Sequence, residues 1–150
     1  VVDPFAFGTP SGSCGQGVSL WTESIRDKLH YRERAILNAG FAAGAVTMAQ
    51  IESGELERNR PSSSADALVA YVRTIGLKRG DEQRLSIRKP DETTLVEHRA
   101  KALERNKAQY MLLVGKKRPP RGWPIGRYEA RYEVIRDGQV VLTHHFQLSL

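Results

Sequence analysis

A chain of 150 residues with 40% hydrophobic content can bury one respectable core and falls short of two domains of ordinary size. No stretch approaches the roughly 18 consecutive apolar residues of a membrane-spanning helix, and the N-terminus lacks a basic region followed by an apolar run. The net charge of +6 and pI near 9.7 raise nucleic acid as a partner, but the cations are interleaved with Glu and Asp, as in "RDKLHYRERA" and "RYEARYEVIRDG". That is the pattern of a solvated surface and argues against nucleic acid.

The chain starts at Val1 rather than methionine, and the expectation is a fragment of a longer or processed protein. Residues 1–33 read as an extended tail or linker: Gly, Ser and Pro surround isolated bulky residues (Phe5, Phe7, Leu20, Trp21) without period. The single cysteine, Cys14, has no partner within the chain, which excludes an internal disulfide, a Cys-rich zinc site and a Cys-x-x-Cys pair. Its partner lies upstream, or it is a small buried thiol.

Residues 34–150 read as an all-β, immunoglobulin-like sandwich of about seven strands with one short helix. "RERAILNAGFA" alternates around Ala35, Leu37 and Ala39 as a first strand. In "VTMAQIESG", Thr47 and Gln50 have capping-box spacing, Val46 and Ile51 staple spacing, and Gly54 can stop the helix. "ELERNRPSSSAD" reads as a polar, mobile loop. Strand-like runs follow at 67–77, 83–89, 93–103, 108–115, 126–135 and 139–150, separated by "KRGDE", "KPDET" and "KKRPPRGWPIG". This spacing suits a β-sandwich of about 100 residues. The run at 93–103 carries helix-forming Ala and charges; strands on either side favour a meander.

For the last hairpin, a loop of Arg136, Asp137 and Gly138 sets Val134 opposite Val140, Tyr132 opposite Leu142 and Tyr128 opposite Phe146, with all apolar groups on one face. A two-residue loop would place the two apolar faces on opposite sides. The expectation is therefore the three-residue loop, with Gly138 at positive φ.

Candidate chemistry is sparse. The four histidines, His30, His98, His144 and His145, lie in neither His-x-His nor His-Glu-x-x-His spacing. His144 and His145 point to opposite faces of a strand, His144 inward and His145 to solvent. "PSGSCG" and "PSSSAD" hold serines without a nucleophile elbow, and "GTPSGSCGQG" lacks the Gly-Lys-Ser/Thr of a phosphate cradle. Glu129 and Glu133 are expected as exposed pairs with Arg127 and Arg131. The one aromatic and basic combination is Trp123 with Lys116, Lys117, Arg118 and Arg121. It could stack on a sugar or contact a cation, but the favoured reading is that Trp123 and Pro124 pin a loop to the end of the sandwich.

"VVDPFAF" followed by "CGQGVSLW" resembles the exit from the catalytic domain of exported lysostaphin-like (LytM-type) zinc endopeptidases that cut peptidoglycan crosslinks. "GLKRGDEQRLSIRKPDETTL" and "RGWPIGRYEARYEVIRDGQVV" are similar to immunoglobulin-like accessory domains of bacterial envelope proteins, with their G-D turn, P-D turn and W-P-x-G-x-Y stretch before the final hairpin. The resemblance implies a periplasmic or otherwise extracytoplasmic bacterial accessory domain without catalytic or metal-binding residues or cofactor of its own. Zinc would sit only in an upstream catalytic domain, since His30 and His98 match neither ligand segment of that family. The partners it implies are that catalytic domain, peptidoglycan or an envelope protein.

Overall fold

The computed structural model describes residues 7–10, 17–29 and 33–150. Phe5, Cys14 and His30 lie outside the described residues. The chain divides into two compact units, Val1–Arg32 and Glu33–Leu150. In the first, Phe7 and Val18 exchange both backbone hydrogen bonds, at 3.0 and 2.9 Å, and a single helical turn, α1, spans Glu23–Arg26.

The second unit is a β-sandwich of seven strands in two antiparallel sheets. In chain order it comprises β1 (Ala35–Ala42), α2 (Met48–Glu52), α3 (Glu55–Arg58), β2 (Ala67–Leu77), β3 (Glu82–Arg88), β4 (Thr94–Arg99), β5 (Lys107–Lys117), β6 (Arg127–Arg136) and β7 (Gln139–Ser149). One sheet has the order β1-β2-β5 and the other β4-β3-β6-β7. The chain therefore crosses between sheets after β2, β4 and β5. The expected meander stops at β4: β5 joins β2 across the sandwich. Residues after Arg99 leave the strand, and Leu103 is buried to anchor the crossover.

Alternation builds the core. Leu68, Val72, Leu85, Ile87, Tyr128, Tyr132 and Val134 are fully buried between the sheets, each such aliphatic or aromatic side chain contributing about 1.5–3 kcal/mol. Near the start of β6, the Tyr128 hydroxyl donates to the Pro124 carbonyl at 3.0 Å, the tyrosine corner of immunoglobulin-like sandwiches. A second cluster, Ala42, Val46, Ile51, Leu56 and Tyr71, covers the outer face of the three-stranded sheet beneath α2 and α3. The Tyr71 ring lies over Gly40, where a Cβ would come within 2.7 Å of the phenol oxygen. Any larger residue there would have to displace the Tyr71 ring.

The capping box forms as its spacing predicts: the Gln50 N–H donates to Thr47 Oγ1 at 3.3 Å and the Thr47 N–H to Gln50 Oε1 at 3.0 Å. Gly54 ends α2 at φ 69°. The loop expected over "ELERNRPSSSAD" instead opens with α3, whose Leu56 is buried, and continues to a buried Pro61. There are thus three short helices among the described residues rather than one.

The last hairpin corrects the expected register. Arg136 pairs with Gln139, leaving Asp137 (φ 50°) and Gly138 (φ 77°) as a two-residue loop with the double positive φ of a type I′ turn. Gly138 has the expected positive φ. A bulge then restores the apolar faces: Ile135 pairs with Val140 but Val134 with Leu142, so Val141 is the extra residue. Beyond it Ala130 faces Phe146 and Tyr128 faces Leu148. β1 uses the same device. Its register slips between Ile36 and Asn38, and Leu37, one of the apolar residues that mark the alternation, is 47% exposed.

Candidate functional site

The basic stretch begins on a strand, not in a loop. Lys116 and Lys117 pair with Leu68 and Ala67 at the end of β5, and both are exposed. Arg118 is tied down: its N–H donates to the Asp66 carbonyl at 2.8 Å and Nη1 to the Ser64 carbonyl at 2.9 Å. Trp123 is only 5% exposed. Its Nε1 donates to the Ala65 carbonyl at 2.7 Å, and its ring meets Tyr128 edge-on at 6.4 Å. The indole therefore has no free face for a sugar ring and fastens the loop before β6 to the segment before β2.

A recess of about 400 Å³ lies beside this pin, lined by Trp123, Pro124 and Arg121 from one side and by Lys89, Thr94 and Leu95 from the β3–β4 hairpin. Of the residues singled out in the sequence, the structure brings Arg121 and Trp123 together here and leaves Lys116, Lys117 and Arg118 outside the lining. Lys89 and Leu95 had no sequence cue, because they reach the recess from a hairpin some thirty positions away in the numbering. The P-D turn of that hairpin is locked by Asp91, which accepts from the Thr93 hydroxyl at 2.6 Å and the Thr93 N–H at 3.0 Å. Those two bonds, then Lys89, push the Asp91 carboxyl down to about 2.

The outer face of the four-stranded sheet holds a polar recess of about 300 Å³ whose lining includes Arg84, Arg88, Glu97, Arg131, Glu133 and His145. Glu129 pairs with Arg127 at 3.2 Å, as its alternation predicts. Glu133 departs from expectation: it is 1% exposed. Its register partner on β3 is Arg84, whose Nε donates to Glu133 Oε2 at 2.6 Å, while Arg131 approaches Oε1 at 2.5 Å. The two guanidinium groups cover the carboxylate, and no alternation along β6 alone could reveal the contribution of β3.

A second buried carboxylate, Asp81, closes the end of the sandwich. It accepts from Arg34 Nε at 3.0 Å, Arg136 Nε at 2.7 Å and the Lys78 N–H at 2.7 Å. Burial opposes its charge, but these donors outweigh burial and hold the carboxyl below its ordinary value. His144 faces inward, half-buried and stacked on Phe146 at 5.8 Å, and burial followed by the charge of His145 pulls its pKa down. His145 is exposed. Among the described residues, no three His, Cys, Asp or Glu side chains are grouped to hold a metal ion, and no helix is long and apolar enough to cross a membrane.

No family model matches the chain, and no curated protein matches it. Among solved structures it is similar to the Parabacteroides merdae β-glucuronidase, with a TM-score of 0.43 and 14% identity over 59% of this chain and 12% of that one. At that level the likeness bears on neither activity nor substrate, and the chain's own architecture is what stands: an all-β sandwich of two antiparallel sheets.

Proposed function

We propose that this chain is a non-catalytic accessory domain of an exported, LytM-type murein zinc endopeptidase. It positions the upstream catalytic domain or docks it on peptidoglycan or an envelope protein. The reading rests on the resemblance of "VVDPFAF" and "CGQGVSLW" to the exit from such a catalytic domain. The observation that carries it is the internal use of the buried polar groups. Asp81 holds Arg34 and Arg136, Glu133 holds Arg84 and Arg131, and the Trp123 N–H holds Ala65. Groups so engaged serve folding and present a stable scaffold for docking. Incubating the chain with zinc and purified peptidoglycan should release no muropeptides, whereas a longer protein including the residues encoded upstream of Val1 should release them. Release by the chain alone overturns the proposal.

A second reading is a module for anionic cell-wall polymer. The recess beside Arg121 and Lys89, with exposed Lys116 and Lys117 on the neighbouring β5, supports it. Replacing Lys116, Lys117 and Arg121 together by Ala should abolish co-sedimentation with purified cell walls; unchanged co-sedimentation removes the reading.

A further inference from the structure

β7 is an edge strand bonded only to β6, and its eleven residues contain no Lys, Arg, Asp, Glu or Pro. Edge strands of that kind present unpaired backbone groups to any second strand. The other three edges are guarded. β4 carries Glu97 and Arg99, β5 carries Lys107, Lys116 and Lys117, and β1 is interrupted at Leu37 with α3 packed against it.

The inward side chains of β7 are also incompletely covered. Leu142, His144 and Phe146 are half-buried, while their register partners Val134, Tyr132 and Ala130 are 0% exposed. Alongside Phe146 and Leu148 a recess of about 130 Å³ opens, with the apolar Phe41 and Leu56 and the charged Glu57 and Arg60 in its wall. The side chains of one more strand would fill it.

The sequence of β7 identifies that strand. Read outward from His145, "LTHHFQL" is chemically symmetric: His144 and Phe146 are planar rings, Thr143 and Gln147 are neutral and polar, and Leu142 and Leu148 match. A segment with this symmetry is complementary to itself in an antiparallel pair about a two-fold axis. The axis passes through a residue, so inward side chains meet inward ones and outward meet outward. For a chain carrying +6, an uncharged seam is also where two copies repel least.

We infer that two copies of this chain associate through antiparallel β7–β7 pairing about a two-fold axis at His145, which joins their four-stranded sheets into one of eight strands. Leu142 then lies beside Leu148 of the other copy, His144 beside its Phe146, and Thr143 beside its Gln147. One strand pair is a small interface, below the roughly 1,200 Å² of stable complexes, so the dimer dissociates on dilution.

Sedimentation equilibrium from about 10 μM to about 1 mM, the range of weak association, tests this. The wild-type chain should pass from monomer to dimer. The double variant Thr143→Lys/Gln147→Lys sets Lys against Lys twice across the axis and should stay monomeric with an unchanged circular dichroism spectrum and melting curve. Thr143→Lys/Gln147→Glu sets Lys against Glu in this register and should dimerise at least as well as wild type. A wild-type chain that stays monomeric throughout, a Lys/Lys variant that associates like wild type, or a folded Lys/Glu variant that stays monomeric overturns the inference.

Discussion

Arg136 Nε donates to Asp81 Oδ1 at 2.7 Å, joining the end of β6 to the turn between β2 and β3. The same carboxylate takes Arg34 from the start of β1, and Arg136 also reaches the Arg79 carbonyl at 2.7 Å. One buried anion thus gathers three chain segments at one end of the sandwich. Asp81→Asn removes the charge and leaves two guanidinium groups facing an amide. Loss of one member of a buried pair costs 3–5 kcal/mol, and because both arginines keep some contact with water the expected cost here is about 2–4 kcal/mol. The folded carboxyl lies below its ordinary value of about 3.9, so its contribution is complete above that pH and is lost as pH falls through the folded value. Urea unfolding should show the full difference between wild type and variant at pH 7 and a shrinking one in acid below about pH 4.

The two sheets are also joined by a polar chain through the core. Thr74 on β2 donates to the Tyr132 hydroxyl at 3.0 Å, and Tyr132 on β6 donates to Gln83 Oε1 on β3 at 2.7 Å. Tyr132→Phe keeps the ring and strands both neighbours, which should cost about 1–3 kcal/mol. Burial, against the opposing bond from Thr74, pushes the phenol up to about 12. The neutral phenol therefore stabilises the fold fully below the unfolded value of about 10, and that contribution fades as pH rises through the folded one. Denaturant titrations at pH 7 and pH 11 should give a smaller wild-type to Tyr132→Phe difference at the higher pH.

Trp123 separates pinning from ligand binding. Trp123→Phe preserves an aromatic side chain but leaves the Ala65 carbonyl without its donor, a loss of about 1–3 kcal/mol. Thermal melting should register it. Retention of cell-wall co-sedimentation by the folded variant would assign any such binding to the exposed cations rather than to the indole.

What the sequence disclosed, it disclosed through local chemistry. The seven strand runs and the Thr47–Gln50 capping box are short-range patterns and appear in the fold, although the run at 93–103 ends as a strand at Arg99 and the last turn is one residue shorter than expected. Features that depend on a second element were hidden. Glu133 is buried because Arg84 on β3 covers it, and the recess beside Trp123 needs Lys89 and Leu95 from another hairpin. α3 is a single turn with one buried apolar residue, Leu56, too short to show a helical period. The crossover after β4 likewise obeys sheet packing rather than the sequence of the run that precedes it.

The hairpin shows how a correct physical demand can be met by an unexpected residue. Keeping apolar groups of both strands on one face requires one extra residue relative to a regular ladder closed by a two-residue loop. Placing it in the turn and placing it within β7 satisfy that demand equally, and the chain adopts the second, at Val141. Asp137 and Gly138 favour this outcome because aspartate tolerates, and glycine welcomes, the positive φ that a type I′ turn needs at both positions. Gly138→Val should therefore cost about 1–2 kcal/mol through the left-handed conformation. Deleting Val141 makes the opposite prediction. The ladder then runs regularly from Arg136–Gln139 through Ile135–Val140 to Val134–Leu142, so residues 142–149 keep their partners. Since Val141 is 47% exposed, little burial is lost, and stability should stay within about 1 kcal/mol of wild type. Cross-strand nuclear Overhauser contacts between Ala130 and Phe146 should persist in the deletion variant. Their replacement by contacts from Ala130 to Gln147 would mean that a bulge persists in β7 without Val141 and that the apolar face does not dictate the register.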